Sequence, residues 1–353
     1  MSKKCKNIIS ISLFLCLQAA QANDFIELSD KELSEVQGQA LFNLNKTDNM
    51  SQNLSFFRLG MEAEIALNAN IKKLQLGCGG SKGIGCDIDI DNVALTGITT
   101  STAQGAGAST DFILNNPFIE FAISNANSAS TRSIEGFRLG ALSALGMMSL
   151  GSNENTSSLG DDTGINSLSG DIGVRVTNAN IQGIVVTLLG IPAATANAKV
   201  NDYSSTIIAN RSSTFSLNGL KASARLSLGG FIPIPIDLQL TANMKDIPFN
   251  TAHRLQVSDV NGNPTSGAYL SMQKRDINWQ NIATGQWNGI AAKQGWWLSI
   301  PDTQFANLNM DGSGVRLSAG DAIGGILGAT VDIPAMDLGQ RPVNNCYGTL
   351  KFC

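Results

Sequence analysis

The chain has 353 residues, 43% hydrophobic and only 15% charged, with a formal charge of −4. That balance excludes disorder, which needs low hydrophobicity and high net charge, and leaves apolar material for one large or two ordinary domains. The acidic excess argues against nucleic acid or an anionic membrane as partner, and aromatics at 6% are sparse for an outer-membrane barrel with its aromatic girdles.

Lys3, Lys4 and Lys6 precede an apolar run over residues 8–17, and Ala20-Gln21-Ala22 is a small-residue cleavage site. The pattern predicts a secretory signal peptide over residues 1–22, with Asn23 opening the mature chain. The run is too short to span a bilayer comfortably, and Leu13-Phe14-Leu15 lacks the small residue that a lipoprotein signal needs before its Cys, here Cys16. Cleavage removes three lysines and no acid, taking the formal charge from −4 to −7. No later segment has the length and apolarity of a transmembrane helix. The expected location is the periplasm, outer membrane or cell surface of a Gram-negative bacterium.

Residues 23–45 read as an N-terminal helical segment. Ser29 can cap, Glu32 three residues on completes a capping box, Leu28, Leu33 and Val36 lie near one face, and Gly38 is a natural stop. Residues 46–353 read as a β-rich domain. Over residues 56–71 the side chains alternate, with Phe57, Leu59, Met61, Ala63, Ile65 and Leu67 on one face and Arg58, Glu62, Glu64 and Asn68 on the other. Phe-Arg-Leu-Gly at 57–60 returns at 137–140, predicting two copies of a strand or strands in matching places.

LGCGGSKGIGCD, residues 76–87, invites a phosphate-loop reading, but Lys82 is followed by Gly83 rather than Ser or Thr; the glycines supply the backbone angles of a tight loop. Four cysteines remain after cleavage, and in an exported chain an even number predicts disulfides. Sequence proximity pairs Cys78 with Cys86 and Cys346 with Cys353. A zinc site is disfavoured by the wide spacings and by the single, distant His253.

IDIDNVALTG, residues 88–97, is the module on which the chain reads as built. Ile88 and Ile90 alternate with Asp87, Asp89 and Asp91, the period of a half-buried strand. At Asn92 the alternation shifts by one, so that Val93 and Leu95 carry the apolar face, and Gly97 closes the unit. Residues 174–183, 277–285 and, more loosely, 308–320 resemble it. The three aspartates are hard oxygen ligands suited to Ca²⁺, but the Gly and distal Glu of an EF-hand do not follow; the simplest expectation is a solvated strand face.

Residues 101–109 read as a flexible loop, and residues 151–170, rich in Ser, Asn, Gly and Asp, as a mobile insertion or a boundary within the β-rich domain. Residues 185–192 form a near-continuous apolar run, expected as a buried strand. Over residues 229–244, Pro233 and Pro235 predict an edge strand or bend. Trp296 and Trp297, adjacent on a strand, should point to opposite faces, one into the core and one outward. Residues 320–338 fit a tightly packed helical turn followed by a strand. Phe231, Ile234, Trp296 and Trp297 are the candidate interface residues, since aromatic anchors and uncovered edges favour docking and strand addition.

The chemistry-bearing residues do not assemble into a catalytic pattern. His253 is the only candidate base, no G-x-S-x-G elbow accompanies it, and it reads as a strand-end or surface residue. No enzyme activity and no cofactor are expected. The fold expected is all-β or β-dominated, an antiparallel sandwich or open barrel-like sheet with the short N-terminal helix.

The opening LSDKELSEVQGQ, residues 28–39, close behind a signal peptide, resembles the start of a group of exported bacterial proteins. NPFIEFAISNANSASTRSIEGFRLG, residues 116–140, is similar to the body of the FilA pilus assembly family among them. The resemblance implies a non-enzymatic structural or assembly protein of a cell-surface filament, meeting other pilus or cell-envelope proteins, with no catalytic residues to carry over. The chain lacks a type IV prepilin start, which implies an accessory rather than a pilin of that kind. The alternative is a periplasmic or outer-membrane-associated binder of a lipid or hydrophobic ligand, since a β-rich chain with few charges can hold an apolar cavity.

Overall fold

The computed structural model describes residues 41–99, 110–152, 163–228, 236–305 and 308–343. The signal peptide, the helix expected near Ser29, the loop 101–109, Phe231, Ile234, Cys346 and Cys353 lie outside the described residues. The strand-dominated expectation holds: strands account for most of the described chain, beside a single α-helix among the described residues. Residues 42–45, assigned above to the helical segment, belong instead to strand β1 (Phe42–Asn49).

β1 pairs antiparallel with β2 (Leu54–Met61), and β2 and β3 (Glu64–Leu67) lie along β6 (Phe112–Ser124). β6 then pairs with β7 (Ser133–Ser149). The two Phe-Arg-Leu-Gly copies flank β6 in one register. Phe57, Arg58, Leu59 and Gly60 face Phe121, Glu120, Ile119 and Phe118, which face Phe137, Arg138, Leu139 and Gly140 on the far side. The repeat thus marks strands in matching places. Glycine is required at the second copy, because a Cβ on Gly140 would stand 2.8 Å from the Phe118 ring.

β4 (Ala69–Leu76) and β5 (Ile88–Thr96) form a hairpin joined by the cysteine loop. The phase shift expected at Asn92 is present: its φ is 48°, and β5 there leaves β8 (Ile165–Leu188) for β7. β7 also carries β12 (Arg254–Val257) and β13 (Tyr269–Gln273), both of which pair with β14 (Gly295–Phe305), and β14 runs parallel to β8. The pairings β5–β7–β12–β14–β8–β5 therefore close a ring with one parallel ladder inside it, where the sequence reading expected an antiparallel sandwich or an open barrel-like sheet.

Beyond the ring, β8 continues as a long hairpin with β9 (Ile191–Ser212), followed by β10 (Thr214–Leu228) and β11 (Ile236–Pro248). Small and branched residues alternate inward, such as Ala194, Ala196, Ala198 and Val200 on β9, a spacing that lets the covering layer approach closely. That layer is the C-terminal part of the chain. β15 (Asn309–Asp311) and β16 (Arg316–Ser318) add to β8 in parallel. Helix α1 (Ala319–Ile326), capped by a Ser318–Asp321 box, leads into β17 (Thr330–Ile333), parallel to β11. The helical turn and strand expected over residues 320–338 are thus found. The four copies of the proposed module do not share one conformation: residues 174–183 lie inside β8, residues 277–285 are a loop, and residues 308–320 hold two short strands.

The run 185–192 is a correction. It is no single buried strand, because β8 ends at Leu188 and β9 begins at Ile191, with Leu189 and Gly190 between them at φ 52° and 82°. Both positive angles make the two-residue turn that suits the twist of a hairpin, and the turn carries its apolar side chains into solvent.

Candidate functional site

The acidic residues singled out in the sequence are engaged with cations and amides. Asp89 and Asp91 share a face, as alternation requires, and both accept from Lys73 Nζ, at 2.6 and 2.8 Å. Asn166 Nδ2 donates to both as well. Asp87 departs from the solvated-face expectation. It is buried, accepting on Oδ1 from Lys82 Nζ and Arg211 Nε, each at 2.9 Å, and on Oδ2 from the Trp296 backbone N–H at 2.9 Å. Burial raises its carboxyl, but the Trp296 amide, Lys82 and Arg211 together outweigh that and hold it below the usual carboxylate value.

Arg211 organises the neighbouring loop. Its Nη1 donates to the carbonyls of Lys82, Gly83 and Ile84 and its Nη2 to those of Gly77 and Gly79. The Cys78–Cys86 disulfide clips the same loop, as the short spacing predicted. The glycines there, with positive φ at Gly77, Gly79, Gly80, Gly83 and Gly85, give the loop the turns that bring the Gly77, Gly79 and Gly83 carbonyls onto one guanidinium. This is a structural arrangement and not a phosphate cradle, because the converging groups are acceptors.

His253 does stand at a strand end, just before β12, but it is buried rather than at the surface, with Nδ1 2.8 Å from the Leu150 carbonyl oxygen. Trp297 is fully buried. Its indole N–H donates to Asp171 at 2.6 Å, and Ser299 donates to the other oxygen at 2.9 Å. Burial pushes the Asp171 carboxyl above its ordinary value. Trp297 therefore cannot serve as an exposed anchor. Trp296, its neighbour on the opposite face, is half-buried against Phe137, ring centroids 5.9 Å apart.

A buried cation, Arg138, sits among Phe118, Tyr269 and Trp279 with centroids 5.0 to 5.2 Å from its guanidinium carbon. Glu120 neutralises it at 2.6 Å, and burial pushes the Tyr269 hydroxyl up to about 12. Paired and stacked on every side, Arg138 holds β6, β7 and the 277–292 loop together.

The sequence reading allowed an apolar cavity without placing it; the structure has an open one of about 570 Å³, within the ~300–1,000 Å³ range of small-molecule sites. Leu59, Ile119 and Leu139, one residue from each of β2, β6 and β7 in register, form a row in one wall; Ile88, Ile90, Val93 and Leu95 of β5 form another. The shift at Asn92 is what keeps all four β5 side chains on the cavity. The alternating set predicted over residues 56–71 supplies the mouth through Leu59, Met61 and Ile65, whereas the core position on that strand is Phe56, against Trp279 and Trp287. Leu59 and Leu139 are 45% and 46% exposed, so the mouth presents apolar surface to solvent. A signal was available in the alternation itself, but periodicity does not distinguish a core face from a cavity face.

Among the described residues no group of three His, Cys, Asp or Glu is placed to hold a metal ion, and no helix is long and apolar enough to cross a membrane. In comparison with known proteins, no family model, no curated protein and no solved structure matches this chain.

Proposed function

We propose that the chain is an exported, non-enzymatic structural or assembly component of a cell-surface filament, acting by docking onto other envelope proteins. The observation that carries this reading is strand β1. Among the described residues it pairs with β2 alone and offers a second edge, on which strand addition is possible. Phe42 and Leu44 stand exposed on it, Leu44 at 75%. The resemblance of residues 28–39 and 116–140 to filament-associated proteins points the same way, and the ion pairs around Asp87, Asp89 and Asp91 give those groups a structural occupation.

The test replaces Leu44 by Asp in cells. Because so little of Leu44 is buried, the variant should be exported and melt normally, while the yield of sheared surface filaments falls several-fold. Unchanged filaments in cells lacking the chain altogether would refute the reading. A second reading, a carrier of a hydrophobic ligand, is favoured by the 570 Å³ cavity; organic extraction of protein purified without detergent, followed by mass spectrometry, would then recover a stoichiometric apolar compound.

A further inference from the structure

The β8–β9 turn and the apolar cavity lie at opposite ends of one strand. The first residues of β8 border the cavity: Ile165 pairs with Ile90, and Gly170 and Ile172 pair with Leu298 and Ile300, all three partners being cavity walls. The last residue, Leu188, opens the turn. The stretch of β8 from Ile172 to Leu188 is roughly 50 Å of extended chain at about 3.3 Å per residue. The tip is apolar throughout. Leu188, Leu189 and Ile191 are exposed, Leu189 at 95%, with Pro192 following.

Leu189 is the informative residue. A turn with positive φ at both positions favours Asn-Gly or Asp-Gly, and a leucine there, at φ 52°, is strained by its Cβ. The strain serves neither the turn nor the core, since the side chain touches solvent. A strained, exposed, branched apolar residue at a hairpin tip is instead what insertion into an apolar recess requires. The chain carries such a recess at its other end, with Leu59, Ile65, Ile71 and Leu139 partly exposed around it.

We infer that the β8–β9 tip of one copy inserts into the apolar cavity of a second copy, so that the protein stacks head to tail. Such a contact joins two different patches of the same chain; it leaves a free tip and a free cavity at the ends, and it propagates into an open filament unless the rotation closes a ring. This inference rests on the assembly reading above and specifies its geometry.

The test uses the purified processed protein without other envelope components, followed by sedimentation velocity over a wide concentration range. The wild type should show a mass distribution that broadens upward with concentration. Leu189→Asn should bind itself at least tenfold more weakly, while melting no lower than wild type, because Asn suits the turn angle better. Leu139→Asp, at the half-exposed mouth, should likewise stay monomeric. Mixed one to one, these two variants retain one intact tip and one intact cavity between them, and should form a dimer and nothing larger. A wild type that remains monomeric, with or without a lipid in its cavity, would overturn the inference, as would a Leu189→Asn protein that assembles normally or a mixture that stays monomeric. Failure here removes head-to-tail stacking alone; the filament count in cells lacking the chain decides the broader reading separately.

Discussion

At the scale of single residues, Asp87 shows how far alternation reaches. The period-two pattern correctly gives Ile88 and Ile90 to the apolar side, but no local pattern reveals that the aspartate before them meets Arg211, 124 residues further on. Such partners are set by topology, and so are the burial of His253, against the Leu150 carbonyl, and that of Trp297, on Asp171 of β8. The charge cluster has a measurable consequence. The Asp87 carboxyl is depressed in the folded protein, so its contribution is present above the unfolded value of about 4 and is lost as pH falls through the folded value. Its partners Lys82 and Arg211 are 21% and 16% exposed, which moderates the effect. Asp87→Asn should therefore cost about 2–3 kcal/mol at pH 7, less than breaking a fully buried pair. The difference from wild type should shrink as pH falls below the unfolded value of about 4, as read by urea unfolding across the acid range. A difference that is constant with pH would mean that Asp87 acts by shape alone.

At the scale of elements, the local signals were the most legible. The cysteine spacing gave the Cys78–Cys86 clip, the Phe-Arg-Leu-Gly repeat marked two strands that share β6 as neighbour, and Asn92 marked a real change of phase. The run 185–192 failed because a Leu-Gly turn lacks the Asn or Asp that announces a hairpin. The clip also sets an expectation. Closing a loop with a sequence separation of 8 removes little chain entropy, on the order of 2–3 kcal/mol in the loop-closure treatment, and five carbonyls of the same loop remain on Arg211. Reduction of Cys78–Cys86 should thus lower the melting temperature without unfolding the protein at 25 °C, and should open the loop to trypsin at Lys82. Global unfolding on reduction would show that the disulfide, and not the Arg211 network, holds β4 and β5 in place.

At the scale of the whole β-rich unit, the sequence supports strand content but not closure. The ring β5–β7–β12–β14–β8 depends on pairings such as Ile90 with Ile165 and Val174 with Thr303, whose separations no periodic pattern encodes, and the parallel ladders along β8 are equally silent in the sequence. Closure leaves β8 laced along both edges: β9 lies along one side, while β5, β14, β15 and β16 follow one another along the other. β1 is its opposite, paired on one side among the described residues and largely exposed. Amides can exchange by local opening wherever few buried contacts hold a strand, and only by global unfolding where both edges are laced. In native-state hydrogen exchange on dilute protein, the amides at 170–176 of β8 should exchange with the free energy of global unfolding, and those of β1 roughly a hundredfold faster or more. Equal protection of β1 and β8 would mean that the β1 edge is covered in the isolated chain, which would remove it as a docking strand. Raising the protein concentration then separates the two proposed interfaces: head-to-tail stacking should slow exchange at residues 188–191 and around the cavity mouth together, while β1 stays fast until an envelope partner is added.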